Sequence, residues 1–126
     1  MNEHDSPLAR AVIGAAIKVH SALGAGFPEV QYQRAMEIEL ELRGIGFRAE
    51  HEVHLLYEQR SIGEGRVDLF VEDQLVVELK AVENLHAAYK GQVLLYLKSL
   101  DLPRGLLINF HEARLVDGVR RILNTG

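Results

Sequence analysis

Gly65-Arg66-Val67-Asp68-Leu69-Phe70-Val71-Glu72-Asp73-Gln74-Leu75-Val76-Val77-Glu78-Leu79-Lys80 is the stretch whose reading decides the fold. Val67, Leu69 and Val71 alternate with Asp68 and Phe70, and Leu75, Val77 and Leu79 alternate with Val76, Glu78 and Lys80. A period of two marks β-strands, and the short polar Glu72-Asp73-Gln74 between them reads as a hairpin loop. With a loop of that length, Val71 faces Leu75, Phe70 faces Val76, Asp68 faces Glu78 and Arg66 faces Lys80. Opposed residues have Cβ atoms roughly 4.5–5.5 Å apart, and like charges so opposed are destabilising. A divalent cation between Asp68 and Glu78 accounts for the arrangement, because hard oxygen ligands suit Mg²⁺. Lys80, two residues past Glu78, shares that face and is placed to meet a phosphate or an attacking water. The register carries the reading: a loop one residue longer or shorter puts the carboxylates on opposite faces. The plain alternative is a solvated Glu-x-Lys strand face.

Upstream, Ser6-Pro7 suits a helix cap followed by proline at the first helical position. Leu8, Val12, Ala15, Ala16, Val19 and Leu23 then recur at helical spacing until Gly24 and Gly26. A second helix is expected from Pro28 to the stop at Gly44 and Gly46. Val30, Ala35, Ile38 and Leu42 form its apolar face, and Glu37, Glu39 and Glu41 its solvated one. From Phe47 the period changes: Val53, Leu55 and Tyr57 suggest a strand, with the turn after it at Gly63 and Gly65. Residues 85–100 return to helical spacing with Val93, Leu94, Leu97 and Leu100 inward, and 106–110 read as a buried strand. Residues 114–124 have no decided type. Helix, helix, three strands, helix, strand predicts one α/β (α+β) domain over 1–126, a central mixed β-sheet flanked by helices.

Composition agrees and excludes. The chain has 126 residues, 48% hydrophobic and 25% charged, as one globular domain requires. It has no cysteine, which excludes a disulfide scaffold, a thiolate metal site, an iron–sulfur cluster and a cysteine nucleophile. A net charge of −4, from 14 Lys plus Arg against 18 Asp plus Glu, argues against gripping nucleic acid by bulk charge. Residues 1–9 lack a basic segment and an apolar run, and no stretch reaches the ~18 apolar residues of a membrane span. The expected address is cytoplasmic, with no membrane partner. His51 and His54, three apart on a strand, point to opposite faces and read as surface residues. Gly44-Ile45-Gly46 lacks the Lys-Ser/Thr of a phosphate loop. Arg120-Arg121, with Arg114 nearby, suits nucleic-acid backbone contact or simple solvation.

The hairpin resembles the PD-(D/E)XK nuclease superfamily, whose signature is an acid on one strand and Asp/Glu-x-Lys on the next: here Asp68, then Glu78-Leu79-Lys80. Its RecB-like branch adds Gly-x-x-Asp, here Gly65-Arg66-Val67-Asp68, and Gln-x-x-x-Tyr on the following helix, here Gln92-Val93-Leu94-Leu95-Tyr96. Gln92 and Tyr96 share a helix face. Gly26-Phe27-Pro28-Glu29-Val30-Gln31-Tyr32 is similar to the motif of the GxxExxY protein family of the same superfamily, as are 77–83 and 105–110. The likeness runs from Leu8 to Asn124. It departs at Tyr89, which stands where many members carry a histidine shortly before the helix glutamine; His86 is out of step.

The resemblance implies a restriction-endonuclease-like core. It implies Mg²⁺ or Mn²⁺ held by Glu29, Asp68, Glu78 and the Leu79 carbonyl, with Asp68, Glu78, Lys80 and Gln92 as catalytic residues. Tyr32, Arg66 and Tyr96 would contact substrate. Each has a plainer reading: a glutamate in a first helical turn is favoured by the macrodipole, and tyrosines pack in cores. The implied function is a metal-dependent nuclease hydrolysing phosphodiesters of nucleic acid, DNA by preference. The alternative is a catalytically silent module of the same fold that binds nucleic acid or a protein partner, since fold does not imply function. By analogy a second copy of the chain is a candidate partner.

Overall fold

Ser6 opens the first helix as expected: its side chain accepts the Ala9 N–H at 2.9 Å and Pro7 takes the first helical position. The computed structural model describes residues 6–126, so residues 1–5 of the polar N-terminal stretch lie outside it. The order is α1 (Pro7–Leu23), α2 (Glu29–Leu42), β1 (Phe47–Tyr57), β2 (Arg60–Val71), β3 (Leu75–Lys80), α3 (Ala87–Leu100), β4 (Arg104–Asn109), a 3-10 turn (Leu115–Gly118) and β5 (Val119–Leu123). The undecided C-terminal piece thus supplies a fifth strand. The sheet runs β1-β2-β3-β4-β5. β3 and β4 are parallel, joined by the α3 crossover, and the other neighbours are antiparallel.

Two apolar layers sandwich the sheet. Val12, Ala16, Tyr32, Met36 and Leu40 of α1 and α2 bury against Leu69, Val77, Leu79, Leu106 and Ile108. Val93, Tyr96 and Leu97 of α3 bury against Val67, Phe70, Val76 and Leu107. β3 is covered on both faces, and its first five residues, Leu75 to Leu79, are all buried.

Three expectations are corrected. The buried face of α2 is Tyr32, Met36 and Leu40, four residues apart, while Val30, Ile38 and Leu42 are exposed. Glu39 is accordingly not solvated: it is buried between α1 and α2, where Lys18 Nζ (3.3 Å) and Arg43 Nε (2.8 Å) neutralise it. The β1–β2 turn falls on Glu58-Gln59, whose φ values of 49° and 68° are both left-handed, as a two-residue type I′ turn demands. Gly63 and Gly65 lie instead inside β2. A Cβ on Gly65 would meet Tyr96 Cε1 at 2.5 Å, so this glycine exists to let α3 approach the strand.

Candidate active site

The hairpin has the expected register, Val71↔Leu75, Phe70↔Val76 and Leu69↔Val77. The ladder then stops. β2 continues along β1, while β3 follows β4 as far as Lys80↔Asn109. The two strands therefore fork at Asp68 and Glu78, and the backbone N–H groups at the fork lose their ladder acceptors. Carboxylates replace them: Asp68 N–H donates to Glu78 Oε1 at 3.1 Å, and Leu79 N–H donates to Asp68 Oδ2 at 2.8 Å. Each acid holds the opposite strand. Because of the fork, Arg66 does not oppose Lys80; it pairs with Glu52 of β1 and is exposed.

The fork is also a break in β2. Leu69 and Val71 face the α1–α2 layer, yet Val67 faces the α3 layer together with Phe70. Strict alternation would put Val67 with Leu69. The slip falls at Asp68, and across from it Glu50 has φ 53°, interrupting the pairing between Ala49↔Leu69 and His51↔Val67.

Burial sets the electrostatics. Glu78 is 3% exposed, and desolvation, followed by the charge of Asp68, pushes its pKa up to about 9. Glu29, first residue of α2, reaches the same place from another element. Burial, then the charges of Asp68 and Glu50, raise its pKa, while Lys80 pulls it down. An open cleft of about 450 Å³ runs between α2 and the strands, lined by Glu29, Gln33, Arg34, Glu37, Glu50 and Asp68. The Lys80 carbonyl accepts from Phe110 N–H at 2.9 Å on the β4 side, so strand alternation turns the Leu79 carbonyl toward the fork. The Lys80 ammonium lies 4.5 Å from the centroid of the Tyr89 ring.

The helix residues divide. Tyr96 is buried against Gly65, so the glycine and tyrosine of the two sequence motifs are one contact. Burial and then the charge of Glu78 raise the Tyr96 pKa. Gln92 is exposed, without a hydrogen-bond partner among the described residues. Tyr32, expected as a substrate contact, is fully buried. Its hydroxyl donates to Gly24 O at 2.6 Å and accepts from Phe27 N–H at 3.2 Å, and its ring stacks on Phe110 at 4.5 Å. It ties down the α1–α2 connection and thereby the start of the helix that carries Glu29.

Of the cleft residues that sequence reasoning does not single out, Gln33 and Glu50 make the contacts nearest Asp68. Gln33 Nε2 lies 3.3 Å from Glu50 Oε1 and 3.4 Å from the Asp68 carbonyl, linking α2 to both strands. It sits one turn after Glu29, so helical spacing was an available signal. Glu50 had none, being one acid in the polar run Arg48-Ala49-Glu50-His51-Glu52. Elsewhere, His51 stacks on Phe70 at 5.1 Å, and exposed His54 lies 3.8 Å from Glu64. Glu52, His54 and Glu64 bring donor atoms within 4.8 Å of one another, but all three are exposed and none belongs to the fork. Arg120 and Arg121 are exposed on β5, the far edge from β1.

This sheet and fork describe an α+β domain with oxygen donors gathered at a strand separation and a lysine just beyond. The family model for the PD-(D/E)XK nuclease superfamily matches residues 6–122, and the chain belongs to that superfamily. Its five-stranded mixed sheet with three helices is the restriction-endonuclease-like fold. No curated protein matches the chain by sequence. Among the described residues no helix is long and apolar enough to cross a membrane.

Proposed function

We propose that the chain is a metal-dependent nuclease that hydrolyses phosphodiester bonds in nucleic acid, with DNA as substrate. The observation that carries this reading is a buried Glu78 beside Asp68, with Glu29 brought to them from α2. Packed apolar residues at such a fork would be more stable than neighbouring acids out of water. A cost of this kind is typical of functional sites.

Glu29, Asp68, Glu78 and the Leu79 carbonyl offer only hard oxygen, which fits Mg²⁺ or Mn²⁺. Such an ion, when bound, polarises a phosphate and lowers the pKa of a bound water. Lys80 brings a positive charge to the mouth of the fork, where it stabilises charge developing on the phosphate. Gln92 presents an amide donor and acceptor to substrate from α3, and exposed Arg66 presents a guanidinium to a phosphate. Glu29, Glu37, Glu50 and Asp68 outnumber Arg34 around the cleft, so the bare cleft repels a phosphate backbone. The net charge of −4 fits this dependence on a local site.

The test is a cleavage assay with Mn²⁺ on single-stranded, nicked and branched DNA, comparing wild type with Asp68→Ala. The expected result is cleavage by wild type only. Equal trace activity on every substrate overturns the enzyme and leaves a binding module of nuclease fold.

A further inference from the structure

The backbone under Lys80 is rigid. Its carbonyl is bonded by Phe110 N–H, and Asn109 brackets the next turn by accepting from Val82 N–H at 3.0 Å and donating to the Val82 carbonyl at 2.9 Å. The side chain is another matter, because a lysine stem is flexible and its ammonium is a strongly hydrated point charge. Among the described residues no carboxylate forms an ion pair with it, although Glu78 is only two residues away. Its close partner is the face of Tyr89, 4.5 Å from the ring centroid.

That ring is itself fixed. Tyr89 stands in the first turn of α3, where its N–H donates to the His86 carbonyl at 3.1 Å and His86 Nδ1 caps the turn by accepting from Ala88 N–H at 3.0 Å. The ring is half-buried against the α3-side core, with His86 edge-on at 6.3 Å. A carboxylate partner would take up the ammonium's N–H donors and cancel its charge. A ring face attracts the charge through its quadrupole and accepts no conventional hydrogen bond, so the donors remain for other ligands.

We propose that Tyr89 is a positioning residue for Lys80: its ring face holds the ammonium at the mouth of the fork with its N–H donors unspent, for a phosphate oxygen or the attacking water. The proposal rests on the nuclease reading above and assigns a residue to it. The phenol hydroxyl has no part in the contact, so the ring alone is required.

Proton NMR and steady-state kinetics on the whole chain test it together. In wild type the Lys80 ε-methylene protons, lying over a ring, resonate upfield of their free-lysine position. Tyr89→Phe keeps that shift and the turnover. Tyr89→Leu loses the shift, and its kcat falls about two- to five-fold at unchanged KM. In a Lys80→Met background Tyr89→Leu has no further effect on kcat. An upfield shift that survives Tyr89→Leu, or a kcat that falls as far in Tyr89→Phe as in Tyr89→Leu, overturns the proposal. The phenylalanine variant keeps it falsifiable if the leucine variant does not fold. Shifts that behave as expected in a wild type cleaving no better than Asp68→Ala uphold the contact and defeat the nuclease reading instead.

Discussion

Two groups of ionisable side chains stand on neighbouring strands, one across β1 and β2 and the other across β2 and β3, and water is the difference between them. Glu52, His54 and Glu64 lie with donor atoms within 4.8 Å of one another, but all are exposed. Asp68 and Glu78 each spend a carboxylate oxygen on the other strand's N–H, and Glu78 is almost completely out of solvent. In water, neighbouring charges interact weakly and are screened. Out of water, burial first and the neighbouring Asp68 charge second push Glu78 up to about 9. Clustering alone therefore says little; clustering with desolvation marks the place where stability has been given up for chemistry.

Asp68→Ala or Glu78→Ala lowers Mn²⁺-dependent cleavage by at least about 100-fold, while Glu52→Ala and Glu64→Ala stay within two-fold of wild type, about the noise of a kinetic comparison. Initial rates on one DNA substrate decide it; a comparable loss in the exposed trio would move the site.

Stability sharpens the same contrast. Glu78 keeps its proton in the fold up to about pH 9, whereas in the unfolded chain it loses it near 4.5. Between these values the unfolded state binds fewer protons, so this contribution is full below pH 4.5 and drains away as pH rises toward 9. Glu78→Gln removes the dependence. In chelator at pH 8 it melts about 5 °C or more above wild type, and near pH 4.5 the gap closes. Melting curves at both pH values check this, and a gap that widens on acidification contradicts the buried-acid account.

Next comes the support beneath the fork. Gly65→Ala drives a Cβ into Tyr96 Cε1 at 2.5 Å and costs about 1–3 kcal/mol by denaturant unfolding. Tyr96→Leu in the same chain recovers part of that. Tyr32→Phe strands Gly24 O and Phe27 N–H, costing about 1–2 kcal/mol. Its signature is lost stability with DNA affinity unchanged, because the hydroxyl is bonded to the α1–α2 connection and does not line the cleft. Smallest of all, His54→Ala shifts stability by no more than about 0.5 kcal/mol, as befits an exposed cross-strand pair.

Much of this site was legible before the fold. Asp68 and Glu78 were expected side by side because a three-residue loop sets the hairpin register, and Leu69↔Val77 obeys that count. The cap at Ser6-Pro7 follows from those side chains, and the stop at Gly24, with φ 74°, from the lack of one. The apolar face of α2 was misread because Val30, Ile38 and Leu42 are apolar yet exposed, while Tyr32 and Met36 face α1 and the sheet. The β1–β2 turn was misplaced because Glu58 and Gln59 adopt a conformation usually given to Gly and Asn. There the strand pairing on either side overrode local preference.

Periodicity, loop length and capping are properties of consecutive residues, so the strands of the hairpin, its register and the helix that follows can be read from the chain alone. So can the oxygens that belong together across one loop. Packing of the whole chain makes β3 part from β2 after Val77 while it stays on β4, brings Glu29 of α2 to the cleft it shares with Asp68, ties the α1–α2 connection to Tyr32 and lays Lys80 over Tyr89. The reason is physical: the fork opens because β2 stays on β1 along one outer edge and β3 stays on β4 along the other, and desolvation depends on every chain segment that excludes water from the site.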